Sequence, residues 1–298
     1  MKRYLFLATF LICVTVLHAR GQREDGGFSY EGIRALEIEA RSFAVDITAG
    51  TGRYVTMTVE NYPDDHTVLH TVAGTRVRVR VEQDRSLFPL SHRGRLVFRV
   101  PYGTEIDVET LTGSVSIAGV AASGLRVKTS TGGIRLQEID ADVHARSNTG
   151  SIEISRSRGR FDVGTTTGSI ACSDLRGLVT ASSSTGSHGY ESVLGDIDAR
   201  STTGRIELTR IEGAVHLRTS TGNQRGVGVT LTGDSSFQAS TGSIHMDVTN
   251  PLDRLQFDLT STTGSLEVGR ERSQRRLFLS GTDIVVTGTT STGSQRFF

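Results

Sequence analysis

A short phrase centred on Thr-Gly returns ten times between Leu111 and the last residues of this 298-residue chain: LTGSVSI, STGGIRL, NTGSIEI, TTGSIAC, STGSHGY, TTGRIEL, STGNQRG, STGSIHM, TTGSLEV and STGSQRF. Its glycines are Gly113, Gly132, Gly150, Gly168, Gly186, Gly204, Gly222, Gly242, Gly264 and Gly293, spaced by 19, 18, 18, 18, 18, 18, 20, 22 and 29 residues. A fixed period in this range is the mark of a solenoid, in which each repeat buries its apolar face only against its neighbours.

Stacking the copies on that glycine shows which columns point inward. Seven residues before it stand Ile106, Leu125, Val143, Phe161, Val179, Ile197 and Val215; five before it stand Val108, Val127, Ala145, Val163, Ala181, Ala199 and Leu217. Between these apolar columns runs a polar, variable one of Asp107, Arg126, His144, Asp162, Thr180, Asp198 and His216. That alternation is the period of a strand with one buried face. After the glycine, Ile134, Ile152, Ile170 and Ile206 hold the second position, and Ile117, Leu136, Ile154, Cys172, Leu208 and Met246 the fourth, so a second short strand follows the turn.

Further glycines fall midway between copies, at Gly159, Gly177, Gly195 and Gly213, so each coil of about 18 residues holds two strands joined by two turns. Turns with positive φ favour Gly, because other residues lose about 1 kcal/mol there. Equivalent strands then pair in parallel about 4.8 Å apart, and ten coils make a rod roughly 45 Å long. The inward Ser/Thr column three before the glycine (Thr129, Ser147, Thr165, Ser183, Ser201, Thr219) is placed to form a hydroxyl ladder.

The expected fold class is therefore all-β: a single-chain parallel β-solenoid or β-helix over residues 106–298, preceded over 22–105 by an irregular β-rich region. That region alternates as in Ala35-Leu-Glu-Ile-Glu and Thr75-Arg-Val-Arg-Val-Arg-Val but lacks the Thr-Gly period. It reads either as irregular first coils or as a separate small β-domain, and it is placed to cover one open end of the stack. No apolar period of 3.6 is present, so helix should be scarce.

The segment Arg95-Leu-Val-Phe-Arg-Val-Pro-Tyr-Gly-Thr-Glu-Ile-Asp-Val-Glu-Thr-Leu-Thr-Gly-Ser-Val-Ser-Ile, followed by reiterated Ser-Thr-Gly-Ser-Ile, resembles the bacterial putative-adhesin family. The resemblance implies an exported, envelope-associated β-solenoid domain of unknown function. Its motifs are structural glycines and alternating strands, which transfer a fold and no catalytic residues.

Residues 1–21 have a basic start (Lys2, Arg3), an apolar stretch from Tyr4 to Leu17, and small residues at Ala19 and Gly21, the pattern of a secretory signal peptide. The apolar run is too short for a comfortable bilayer span, so no transmembrane segment is expected after cleavage. Ile12 before Cys13 disfavours lipidation. The expected location is the periplasm, the cell surface or the extracellular space. Cleavage after Gly21 leaves Cys172 as the one cysteine, which excludes an internal disulfide. It also leaves 30 basic against 32 acidic residues, a balance that gives nucleic-acid binding no support.

Candidates for chemistry each meet a structural alternative. Cys172 takes an inward column otherwise filled by Ile, Leu, Val and Met, and reads as a buried, inert thiol. His144 and His216 share an outward column but stand four coils, roughly 19 Å, apart. His66 and His70 follow Pro63, Asp64 and Asp65 in what reads as a solvated loop without recognised ligand spacing, so no metal and no cofactor is expected. Ser, Gly, Arg or Asn follows the repeat glycine where a calcium β-roll needs aspartate. Ice binding needs two outward Thr rows, and only the column two before the glycine is Ser/Thr-rich.

The next outward column holds Lys128, Arg146, Arg200 and Arg218, and Arg76, Arg78 and Arg80 form a second basic stripe; Arg270, Arg272, Arg275 and Arg276 cluster before the last repeat. The first two stripes are the candidate binding residues, for an anionic glycan, a lipid headgroup or an acidic partner, with a solvated face that discourages aggregation as the plainer reading. No catalytic residue is assigned, because no nucleophile elbow, phosphate loop or zinc helix occurs. The leading expectation is a non-catalytic ligand-binding or scaffold protein whose partner is an unidentified envelope polymer or protein. The alternative is a carbohydrate-active enzyme, a polysaccharide lyase or hydrolase on a parallel β-helix. Asp162 and Asp198 are its carboxylate candidates, although two coils, about 10 Å, separate them.

Overall fold

The computed structural model describes residues 27–61, 66–83 and 94–298; residues 1–21, read above as a signal peptide, lie outside the described residues, as do Pro63, Asp64 and Asp65. Each regular coil lays one strand in each of two sheets, of 15 and 14 strands. In the Gly168 coil these are Phe161–Thr167, ending just before the repeat glycine, and Ile170–Arg176, starting just after it. Among the described residues there is no helix.

The Gly150 to Gly222 coils pair in parallel without slippage, as in Val143↔Phe161↔Val179↔Ile197↔Val215 on the 14-stranded sheet. Slippage by one residue would turn every inward apolar side chain outward, so burial of one face fixes the register. The columns seven and five before the glycine are buried throughout, and those two and four after it fill the other side of the same core. Each fully buried Val, Ile or Phe contributes roughly 1.5–3 kcal/mol by leaving water.

The Ser/Thr column three before the glycine is buried too, but its hydroxyls reach backbone more than one another. Thr110 donates to the Gly113 carbonyl at 2.8 Å, Thr165 to Gly150 at 3.0 Å, Ser201 to Gly186 at 3.2 Å and Thr219 to Gly222 at 3.1 Å. The direct link Ser183 to Ser201, 3.2 Å, is the ladder-like exception. The expected ladder is therefore mainly a set of hooks onto the turns, where carbonyls would otherwise be buried without partners.

Close approach explains the glycine column more completely than positive φ does. Gly168 to Gly293 have φ between 146° and 157°, yet Gly113, Gly132 and Gly150 do not share that conformation. What all ten share is a neighbour: a Cβ on Gly132 would lie 1.9 Å from the Gly113 carbonyl oxygen, and one on Gly222 1.9 Å from that of Gly204. The midway column repeats this, with Gly177 against the Gly159 oxygen at 2.0 Å. Backbone stacks on backbone at both turns, leaving no room for a side chain.

The N-terminal region is continuous with this stack. Ala35–Arg41 and Ala44–Ala49 form one coil, and Arg76–Gln83 with Arg95–Val100 another, in the same two sheets. Among the described residues twelve coils are therefore stacked, spanning roughly 53 Å at the parallel strand spacing. Antiparallel strands close both ends: Phe28–Glu31, Tyr54–Glu60 and His66–Ala73 at one, Glu271–Ser273 and Arg276–Leu279 at the other.

Order in space departs from order in sequence at both ends. The coil of residues 35–49 lies between the coil of 76–100 and the Gly113 coil. The final coil, Ile284–Thr292 with Gln295–Phe297, lies between the Gly242 and Gly264 coils. The intervals of 22 and 29 residues in the repeat are the linkers that this crossing requires.

Candidate functional site

The structure places Lys128, Arg146, Arg200 and Arg218 on the outer face of the 14-stranded sheet, in two pairs separated by Gly164 and Ser182. Three of the four are engaged. Arg146 meets Asp162 at 2.7 Å and also donates to the Ala145 and Asp162 carbonyls; Arg200 meets Asp198 at 2.9 Å; Arg218 donates to Gln238 at 3.0 Å. Lys128 has no ion pair among the described residues and faces Glu109 on the neighbouring strand.

Arg76, Arg78 and Arg80 are likewise neutralised, because the in-register strand beside them is acidic. Arg76 and Arg78 pair with Glu37 at 3.1 and 2.6 Å, and Arg80 pairs with Glu39 at 2.8 Å. At the far end Arg272 pairs with Glu267 and Arg276 with Asp258. These exposed pairs add little stability each, but they turn two apparent basic stripes into a patchwork of both signs.

The histidines fall into three settings. His144 meets Asp162 at 3.0 Å and His216 meets Ser236 at 2.9 Å, both on the outer face. His66 and His70 are not in a loop: they lie on the capping strand His66–Ala73, where His66 is buried against the Phe43 ring, 5.2 Å away, and the Tyr30 hydroxyl meets His70 Nδ1 at 2.9 Å. Burial lowers the His70 pKa and raises that of Tyr30 beyond the ordinary phenol range. Among the described residues no three His, Cys, Asp or Glu side chains group as metal ligands.

A third setting, missed in the sequence, is inside the solenoid. His188 takes a position held in most coils by Ile, Val or Leu and is enclosed with Tyr190 and Ser183. Burial pushes its pKa down to about 4 and that of the neighbouring Cys172 thiol up to about 12. A Ser-His-Tyr contact looks like nucleophile chemistry, but no substrate reaches it through a closed core. The signal was legible only as a polar residue in an apolar column.

The exposed hydroxyl rows also differ from expectation. At the strand ends, where the core stops, both the column two before the glycine and the Thr column one before it are exposed, as with Thr166 and Thr167 or Thr202 and Thr203. A second outward Thr row therefore exists beside the first, against the sequence reading.

On the other edge of the rod, where the chain passes from the 15-stranded back to the 14-stranded sheet, lie two open depressions. One, of about 440 Å³, is lined by Asp174, Arg176, Ser192, Leu194, Arg210 and Glu212. It follows a stacked bulge in which Glu138, Arg156, Asp174, Ser192 and Arg210 all have φ of 49–55°, between Gly119 and Gly228 in the same conformation. The bulge sends two successive residues outward and bends the sheet. The other depression, of about 450 Å³, lies among the loops of the first coils and is lined by Gly32, Arg34, Gly52, Arg53, Pro101 and Tyr102, with Ile33 and Thr75. Four separate loops build it, which is why no linear motif announced it.

The sequence model of the Toastrack DUF4097 family matches residues 33–293. The chain belongs to the Toastrack family. The match runs from the first coil through the last repeat glycine, so the two coils lacking the Thr-Gly phrase are part of the Toastrack unit. No curated protein matches. Among solved structures, that of a putative cell adhesion protein from Clostridium sporogenes is similar at 9% identity, over 91% of this chain and 98% of that one, with a TM-score of 0.23, a likeness too slight to bear on function. As expected from the repeat, the Toastrack chain is a two-sheet, mostly parallel β-solenoid.

Proposed function

We propose that this Toastrack protein is exported to the cell envelope and acts there as a non-catalytic binding or scaffold protein, presenting its outer columns to an envelope polymer or protein. One observation carries the reading: Cys172, Ser183, His188 and Tyr190, a cluster with nucleophile and acid–base character, are sealed in the core, while Asp162 and Asp198 outside are tied into ion pairs. What remains is a rigid, charge-patterned surface roughly 53 Å long. The leader pattern in residues 1–21 supports export to the periplasm, cell surface or medium.

Two measurements test this. Immobilised protein incubated with fractionated envelope should retain a polymer or protein at moderate salt, and retention of nothing from any fraction would overturn the reading. Turnover of a polysaccharide, lost on Asp162→Asn or Asp198→Asn, would replace it with a carbohydrate-active enzyme.

A further inference from the structure

The depression at Gly32, Arg34, Gly52, Arg53, Pro101 and Tyr102 combines three features. First, its arginines are free: neither Arg34 nor Arg53 has a side-chain hydrogen bond or ion pair among the described residues, and the flanking Glu31 and Glu105 make none with them. Many arginines of the array, Arg126, Arg135, Arg146, Arg156, Arg158 and Arg200 among them, are by contrast held by a carboxylate.

Second, Tyr102 is 86% exposed, the most exposed large apolar side chain among the described residues, in a chain with no Trp. An aromatic ring left in water at the tip of a turn offers a flat apolar platform. Third, the loop glycines open onto space. A Cβ on Gly32 or Gly103 would meet nothing within 4 Å, whereas the repeat glycines abut the next coil's carbonyl. Their φ of 71° and 79° fixes Gly at these turns and keeps the mouth clear of side chains.

We infer that this depression binds an acidic sugar unit of a polysaccharide, its carboxylate, phosphate or sulfate held between Arg34 and Arg53 and its ring lying on Tyr102. Guanidinium forks match such oxyanions in charge and geometry, and an aromatic face takes the C–H side of a sugar ring. A space of about 450 Å³ suits one or two rings rather than a protein surface, which needs about 800 Å² per partner. A single-stranded nucleic acid also stacks on Tyr beside Arg, but it needs a continuous basic track. The edge beyond Tyr102 runs through Ala121 and the Asp140–Arg158 pair, which is balanced in charge. That edge continues to the second depression, so a longer glycan has a path along the rod.

The inference rests on the reading of the protein as an envelope-polymer binder, and the test separates the two. The purified protein is applied to an array of uronate-, phosphate- and sulfate-bearing glycans beside neutral glycans, and titrated with inorganic phosphate and with a single-stranded oligonucleotide. Retention confined to acidic glycans is expected. Arg34→Ala with Arg53→Ala, and separately Tyr102→Ala, should each weaken it by about tenfold or more, while Arg205→Ser, at the opposite turn of the coil and paired with Glu207, leaves it unchanged. All these side chains are exposed, so folding is retained and is checked by the unfolding midpoint.

Equal retention of neutral and acidic glycans, no retention of any acidic glycan, indifference to the Arg34/Arg53 or Tyr102 change, phosphate binding as tight as glycan, or tighter oligonucleotide binding would each overturn the site. Should the Arg34/Arg53 variant still capture its ligand from envelope fractions, the site fails while the wider function stands.

Discussion

The Nε2 of His188 lies 2.7 Å from the Ser183 hydroxyl across the interior of one coil. The same crossing recurs twice, Gln224 Nε2 donating to Thr219 at 3.2 Å and Gln295 Nε2 to Thr290 at 3.1 Å. The column two after the glycine thus accepts a polar side chain when it can reach the hydroxyl three before the glycine. A buried polar group without such a partner would cost a few kcal/mol.

This geometry predicts a pH dependence. Burial pushes the His188 pKa down to about 4, against about 6.5 in an unfolded chain. The fold holds the neutral imidazole, so its stability is intact above pH 6.5, falls as pH drops from there towards 4, and levels off below. The full loss from this one group is about 3 kcal/mol. His70 and His245 are also lowered by burial, so the comparison that isolates His188 is with His188→Gln, which copies Gln224 and Gln295. Urea midpoints between pH 7 and pH 4 should fall more steeply in the wild type; parallel curves would refute the assignment.

Close backbone stacking predicts a contrast between two glycines three residues apart. A Cβ on Gly186 would lie 1.8 Å from the Gly168 oxygen, whereas one on Gly189 would meet nothing within 4 Å. Gly186→Ala should destabilise by roughly 1–3 kcal/mol or more, and Gly189→Ala should change stability by less than about 0.5 kcal/mol. Equal shifts in a denaturant titration would mean that the turns are looser than a stacked backbone allows.

The inward and outward columns are tested by a second pair. Ile152 is fully buried between coils, and Ile152→Asp should cost roughly 3 kcal/mol or more. Arg146 is a partly exposed ion-pair partner, so Arg146→Ser should cost about 1 kcal/mol or less. Comparable losses would reverse the assignment of faces.

How much of this was legible in the sequence depended on where the determining contact lay. Contacts one repeat apart, such as Val143 on Phe161, could be read by stacking copies on their glycine. Contacts that depend on order in space could not. Glu37 neutralises Arg78 from 41 residues away because the coil of residues 35–49 is threaded between later ones. The depression around Tyr102 needs four loops that only this threading assembles. The position of His66 and His70 was misjudged because Pro63, Asp64 and Asp65 look like a loop while the strand begins directly after them.

The coil order at the C-terminal end follows from a degeneracy and has its own test. Every copy offers the same ladder, so the order Gly242–Gly264–Gly293 and the observed order Gly242–Gly293–Gly264 contain equal numbers of parallel pairings. What distinguishes them is the cap: Arg276–Leu279 pairs antiparallel with Leu255–Thr263, which requires the Gly264 coil to be outermost. The Phe297 ring, 5.6 Å from Phe237 and 5.3 Å from Phe257, then joins the two flanking coils. Thr241 and Thr263 are each in register with Thr292 and so stand two strands apart. At about 4.8 Å per strand, Thr241→Cys with Thr292→Cys is within reach of a disulfide, while Thr241→Cys with Thr263→Cys, about 9.6 Å apart, is not. Mild oxidation should cross-link the first pair and spare the second. The reverse yield would show that the chain stacks its last coils in sequence order and that the cap does not select between them.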